Sequence, residues 1–263
     1  MNYEQESYEY KAWDKEKYFD NNNQVERIKT AREIIPKDIN NLCDIGCGNG
    51  AFLYYLEQEK YGFSIKGLER SEAARKNKFC LSDIDEGDLL SLPYCDSEFD
   101  LTSCMEVLEH LPYDSYDTAI KELQRVTKKY ILISVPYKEK MGYVQCVYCN
   151  CVFQPNYHVR IFDEKNLNEL FLDFRIISYH YAAETYVPNS FVYKMMQLSN
   201  LLFKNRIYTK AGNNTVCPQC GFKKISTEVQ KRISIKRNPL KSKIKQIVFR
   251  KKPRWIIALY ERK

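Results

Sequence analysis

The sequence predicts an α/β protein built on a doubly wound, mostly parallel sheet. Strand-like and helix-like stretches alternate between residues 37 and 136, and the first strand runs into a Gly-rich turn that opens a helix. A third observation is the apolar "RWIIALYER" at the C-terminus, which supplies one more strand after the alternation has stopped.

The elements follow in order. "QVERIKTAREII" (24–35) has helical spacing and stops at Pro36. "INNLCDIG" is a short apolar run ending in glycine, and "AFLYYLEQEK" returns to helical period. "FSIKGLE" (63–69) reads as the second strand, with Ser71 as N-cap of a short helix after it. "FDLTSCM" (99–105) is a buried strand, "SYDTAIKELQRVT" a helix and "KYILISVP" a strand buried on both faces. After Pro136 the rhythm breaks into a Cys-rich stretch. "DEKNLNELFLD" (163–173) then reads as a helix capped by Asp163, and "FRIISYHY" as a strand. The apolar helix "SFVYKMMQLSNLLF" (190–203) has no place in the alternation and is assigned to an insertion. The expected organisation is a helical segment at 1–36 and a core at 37–182 with a Cys-rich insertion at 137–160. A helical and Cys-pair insertion follows at 183–225, then a basic tail with the final strand at 226–263.

A chain of 263 residues accommodates one α/β domain plus an appendage, and 44% hydrophobic residues exclude global disorder. The charged N-terminus lacks a signal-peptide core, and no window approaches the roughly 18 apolar residues of a membrane span. A cytoplasmic protein is the expectation, with its ten cysteines reduced, buried or metal-bound. Thirteen Lys and Arg against one acid, Glu228, lie between Lys223 and Arg254, so the tail is strongly basic and the body mildly acidic.

"DIGCGNG" places Asp44 at a strand end and Gly46, Gly48 and Gly50 in the turn to a helix. Such a turn lets a ligand approach the backbone closely and offers N–H groups at a helix N-terminus. The spacing is G-x-G-x-G and not the G-x-G-x-x-G of dinucleotide binders. Glu69 ends the next strand, where a carboxylate can accept both hydroxyls of a ribose. "LCDIGCGNGAFL", "IKGLERS", "EGDLLSLPYCDSEFDLTSCMEVLEHL" and "KYILISVP" together resemble the successive motifs of class I S-adenosylmethionine-dependent methyltransferases, over residues 40–136. The likeness is greatest to the branch that includes ubiquinone-pathway O-methyltransferases. It implies a Rossmann-like seven-stranded sheet closed by an antiparallel strand, which "RWIIALYER" can supply. It also implies that Asp44 and the Gly46–Gly50 turn, Cys47 included, hold the methionine part of the cofactor. Glu69 would hold the ribose, and Asp88 and Leu89 would flank the adenine. Glu106 is counted with both the cofactor and the acceptor residues.

In "MEVLEHL", Glu106 and Glu109 stand i, i+3 with His110 beside them, at the sheet edge where an acceptor belongs. Two carboxylates and an imidazole suit Mg²⁺ or a similar ion. The order Glu-x-x-Glu-His resembles the metal site of the ubiquinone O-methyltransferases and of small-RNA 2′-O-methyltransferases. The latter add a later histidine, and His158 stands at about that place. The bland alternative is that Glu106 and His110 line the pocket, with His110 as general base, and that His158 is polar surface. His180, inside a strand pattern, is read as structural.

Cys146-x-x-Cys149 is followed by Asn150, and Cys217-x-x-Cys220 by Gly221, residues that tolerate a left-handed backbone. This is the pattern of two zinc knuckles, and their four sulfurs match tetrahedral Zn²⁺ in a structural site. A redox pair and free buried thiols are the alternatives. Cys151 falls outside the spacing, and Cys43, Cys47, Cys80, Cys95 and Cys104 read as small hydrophobes. In "NPLKSKIKQIVFR" (238–250), Leu240, Ile244, Ile247 and Val248 share a helical face among lysines. That face suits an anionic membrane or nucleic acid, or it docks on the domain. The functional expectation is O-methylation of a small molecule or glycan unit. An RNA 2′-O-methyltransferase with a Glu/Glu/His/His metal site and a non-catalytic cofactor-binding scaffold are the alternatives.

Overall fold

Residues 99–105 are buried without a break, as a strand covered on both faces must be, and they form the middle of the sheet. The computed structural model describes residues 21–59, 62–188, 209–210, 216–222 and 249–263. The first twenty residues, the helix expected at 190–203 and the basic segment 223–248 lie outside the described residues.

The chain begins with helix α1 (Asn22–Glu33), strand β1 (Asn41–Ile45), α2 (Ala51–Glu57), β2 (Ser64–Glu69), α3 (Glu72–Lys76) and β3 (Ile84–Glu86). It continues with β4 (Phe99–Met105), a 3₁₀ turn (Leu108–His110), α4 (Tyr116–Val126) and β5 (Thr127–Pro136). After these come β6 (Val144–Gln145), β7 (Val152–Phe153), α5 (Glu164–Asn168), β8 (Phe174–Pro188), β9 (Thr209–Lys210) and β10 (Phe249–Arg262).

Seven strands form one sheet in the order β3-β2-β1-β4-β5-β10-β8. Strands β3 to β5 pair in parallel, and β10 runs antiparallel to β5 from Trp255 opposite Pro136 to Glu261 opposite Tyr130. The order reverses beside β1, so the loops after β1 and β4 open at one topological switch point. Side chains alternate between the two faces. Ile131 and Ile133 join α4's Leu123 on one face, while Leu132 and Ile257 join Ile28 and Ala31 of α1 and Phe52 and Leu56 of α2 on the other.

Two expectations change in extent. Asp163 caps α5 through a capping box with Asn166, yet the helix ends at Asn168 and not near 173. Asn166 and Asn168 are weak helix formers, and Leu170 N–H turns back to the Leu167 carbonyl at 3.2 Å. Strand β8, in contrast, extends to Pro188.

The chain divides into two units. The larger holds the described parts of 8–140, 158–183 and 253–263, so the last strand's apolar half belongs to the sheet domain. The smaller holds those of 141–157 and 184–252 and has its own three-stranded sheet, β7-β6-β9. No helix among the described residues is long and apolar enough to cross a membrane.

Candidate active site

The turn after β1 bends through three glycines of positive φ: Gly46 at 73°, Gly48 at 58° and Gly50 at 82°. Only glycine takes this region without strain. The space is also closed to a side chain at both ends. A Cβ on Gly46 would stand 2.6 Å from Val107 Cγ2, and one on Gly50 would stand 2.3 Å from Cys80 Sγ. Cys47 is buried, and its sulfur would meet a Cβ on Gly67 of β2 at 2.6 Å, so it wedges the turn against the neighbouring strand.

Two buried carboxylates frame the turn. Glu69 accepts from Gly48 N–H through Oε2 and from Ser71 N–H through Oε1, each at 2.8 Å. Burial raises its pKa, and the Ser71 and Gly48 amides act against that rise. Asp44 accepts from Ser103 Oγ at 2.7 Å. Burial pushes its carboxyl up to about 7, against the Ser103 bond and the charge of Arg27. Asp88 is exposed and caps its own turn by accepting from Leu90 N–H at 2.9 Å, while Leu89 is buried in the core beside it.

Past β4 the chain takes a sharp step. Glu106 has φ 61°, an uncommon conformation for a non-glycine residue that recurs at functional sites. The left-handed step means that Glu106 and Glu109 are not stacked as on a helix. Glu106 Oε2 accepts from Trp255 Nε1 at 2.7 Å. Glu109 is fully buried, and neither of its carboxylate oxygens has a hydrogen-bond partner among the described residues. Burial raises its pKa well above the usual range, and the charge of Glu106 adds to the rise.

His158 comes to this place from far along the chain. Val159 N–H donates to the Glu109 carbonyl at 2.8 Å, and Tyr113 Oη donates to the Val159 carbonyl at 2.9 Å. The His110 and His158 rings meet edge to face, centroids 4.6 Å apart. His158 Nδ1 is hydrogen-bonded to Glu139 Oε2. Ligand atoms of Glu109, His110 and His158 all lie within 4.8 Å of one another, and Glu106 is outside that group.

Three residues of this site escape the sequence reading. Arg27 of α1 is 5% exposed, donates to Gln24 Oε1 at 2.9 and 3.1 Å, and its charge draws down the carboxyls of Asp44, Glu106 and Glu109. Its signal was a charged side chain on the apolar face with Ile28 and Ala31. Trp255 is hidden inside a strand pattern, and Glu139 in a loop with no pattern. In the smaller unit, the Sγ atoms of Cys146, Cys149, Cys217 and Cys220 gather within 4.8 Å of one another, without Cys151.

Residues 43–133 match the family model described as a methyltransferase domain. The chain is similar to norajmaline N-methyltransferase of Rauvolfia serpentina, 34% identical over 98 residues, which cover 33% of this chain and 32% of that protein. It is similar to an uncharacterized protein of Methanocaldococcus jannaschii, 35% identical over 89 residues, covering 32% of this chain and 35% of the other. The chain therefore spans about a third of the length of these curated relatives. Among solved structures it is similar to the PH0226 protein from Pyrococcus horikoshii, with 20% identity, a TM-score of 0.49, and coverage of 62% of this chain and 88% of that one.

Proposed function

We propose that this chain, whose residues 43–133 match a methyltransferase-domain model, is a class I S-adenosylmethionine-dependent methyltransferase that methylates an oxygen of a small molecule or glycan unit beside His110 and His158. The observation that carries the acceptor reading is Glu109: a buried carboxylate with no hydrogen-bond partner among the described residues, held against two imidazoles beyond the end of β4. A group this costly to bury is retained where it has chemistry to do.

The residues present fit the cofactor. The glycine turn, too tight for a Cβ at Gly46 or Gly50, stands at the sheet edge where ligands of open parallel sheets bind, and Glu69 holds it in shape through the Gly48 amide. Asp44 suits the cofactor's ammonium, and Glu69 retains lone pairs for ribose hydroxyls beyond those given to Gly48 and Ser71. When bound, S-adenosylmethionine supplies an electrophilic methyl on a sulfonium and leaves as S-adenosylhomocysteine.

The chain's part is to orient the acceptor and take its proton. The imidazoles of His110 and His158 would take the hydroxyl proton of an acceptor held beside them. Glu139 pairs with His158 Nδ1 and so fixes the orientation of that ring beside His110 and Glu109. A divalent cation on Glu109, His110 and His158 is a second form of the same reading. Two imidazoles and one carboxylate suit Mn²⁺ better than Mg²⁺, and Glu106 is already engaged by Trp255.

A nitrogen acceptor, as the name of the Rauvolfia relative describes, is attacked through its own lone pair and has less need of this base. An RNA 2′-hydroxyl shares the chemistry and is the alternative favoured by His158 joining Glu109 and His110. The test is label transfer from methyl-labelled cofactor to a panel of hydroxylated small molecules, glycans and short RNA. The reading expects label in the first two, lost in His110→Ala. Label only in RNA selects the alternative. No label in any acceptor, with the cofactor product still bound, selects the non-catalytic scaffold.

A further inference from the structure

We propose that Cys146, Cys149, Cys217 and Cys220 form a closed, structural Zn²⁺ site and that folding of the smaller unit depends on it. The two Cys pairs stand in equivalent backbone geometry although 68 residues separate Cys149 from Cys217. In the first, Asn150 N–H donates to the Cys146 carbonyl at 3.1 Å. In the second, Gly221 N–H donates to the Cys217 carbonyl at 2.9 Å. Each turn is then closed once more, by Cys146 N–H to the Cys151 carbonyl at 2.8 Å and by Cys217 N–H to the Phe222 carbonyl at 3.1 Å. The residue after each second cysteine is left-handed, Asn150 at φ 62° and Gly221 at φ 67°. That bend turns backbone amides toward sulfur. The amides of Cys149 and Tyr148 serve Cys146, that of Cys151 serves Cys149, and that of Phe222 serves Cys220.

The sulfurs are spaced for a metal and not for a disulfide. Zn–S bonds of about 2.3 Å in a tetrahedron put the sulfurs roughly 3.8 Å apart. Cys146 Sγ lies 3.8 Å from Cys220 Sγ, and Cys149 Sγ lies 3.5 Å from Cys217 Sγ, each contact linking one pair to the other. A disulfide needs about 2.05 Å. Four thiolates in one place repel one another unless a cation neutralises them. Zn²⁺ satisfies that requirement with no open position, so the site performs no methyl transfer. Cys151 contributes its carbonyl to the turn and not its sulfur to the cluster.

Among the described residues the smaller unit's buried apolar cluster consists of Val144, Cys146, Phe153 and Cys217, and two of those four are ligands. The Tyr148 and Phe222 rings stack at 5.8 Å, one from each turn, which ties the pairs together only once both turns are formed. A metal bound by those ligands would therefore hold this cluster directly.

The experiment is metal analysis and cobalt substitution of the full chain. The proposal expects about one zinc per chain, intense tetrahedral thiolate bands after Co²⁺ exchange, and full retention in Cys151→Ser. Cys217→Ser should lose at least about nine-tenths of the metal. Cys217→His, which supplies a neutral nitrogen donor that tetrahedral zinc also accepts, should keep the metal and shift the cobalt charge-transfer band. The His variant keeps the test decisive if the Ser variant fails to fold. Iron in place of zinc, an octahedral cobalt spectrum, or metal lost in Cys151→Ser and kept in Cys217→Ser would overturn the proposal.

Discussion

The two units solve the problem of fixing functional side chains in opposite ways. In the larger, a sheet packed on both faces fixes the backbone, and chemistry collects at loops that the strands hold in register. Asp44, Glu69 and Glu106 stand at or just past the ends of neighbouring strands because those strands pair as they do. In the smaller, the described strands of its own sheet are two residues long, and two turns bring four sulfurs together. A packed core can carry buried, costly carboxylates. Four gathered thiols call instead for a cation between them.

The comparison breaks first at the metal. Stripping zinc with a strong chelator should lower the exchange protection of Asn150 and Gly221 amides by about a hundredfold or more, and leave β1 and β4 amides unchanged. Hydrogen exchange read by mass spectrometry checks it. Equal loss in both units would mean that they do not fold independently.

A smaller effect probes the glycine turn. Gly50→Val forces a β-branched residue to φ 82° against Cys80 Sγ, and should cost about 3 kcal/mol of stability. Gly142→Ala, whose Cβ meets nothing within 4 Å, should cost about 0.5 kcal/mol or less. Chemical denaturation of the two variants separates a cradle from a loop.

The smallest effect sharpens the electrostatics. Asp44 has its pKa raised by burial to about 7, so the folded protein holds this proton more tightly than the unfolded chain. The stability gained from that proton is complete below the unfolded value of about 4 and is lost as pH rises toward 7. Binding of the proposed cofactor should run the other way. The ligand's ammonium prefers the carboxylate, so affinity should climb as pH rises to about 7 and then level off. Ser103→Ala removes the bond that favours the ionised form and should move the plateau upward by roughly half a unit to one unit. Calorimetry across pH checks it.

Most of the sheet was legible in the sequence because its signals are local: period, glycine and cap. Ser71 and Asp163 cap the helices they were expected to cap. What escaped is non-local. The strands of the smaller unit are too short to show a period. Spacing i, i+3 suggested a shared face for Glu106 and Glu109, but the left-handed step at Glu106 interrupts it before the 3₁₀ turn begins. The partners of these acids, Trp255 and Arg27, come from the two ends of the described chain, and no spacing rule reaches that far.

In the proposed function the glycine turn and Glu69 hold S-adenosylmethionine. Calorimetry with S-adenosylhomocysteine on the wild type and on Glu69→Gln tests it most directly. The substitution sets a donor against Gly48 or Ser71 N–H and weakens the ribose contact. One site on the wild type, with affinity at least about tenfold lower in Glu69→Gln, is the predicted result. No binding by the wild type, or equal binding by both, would contradict it.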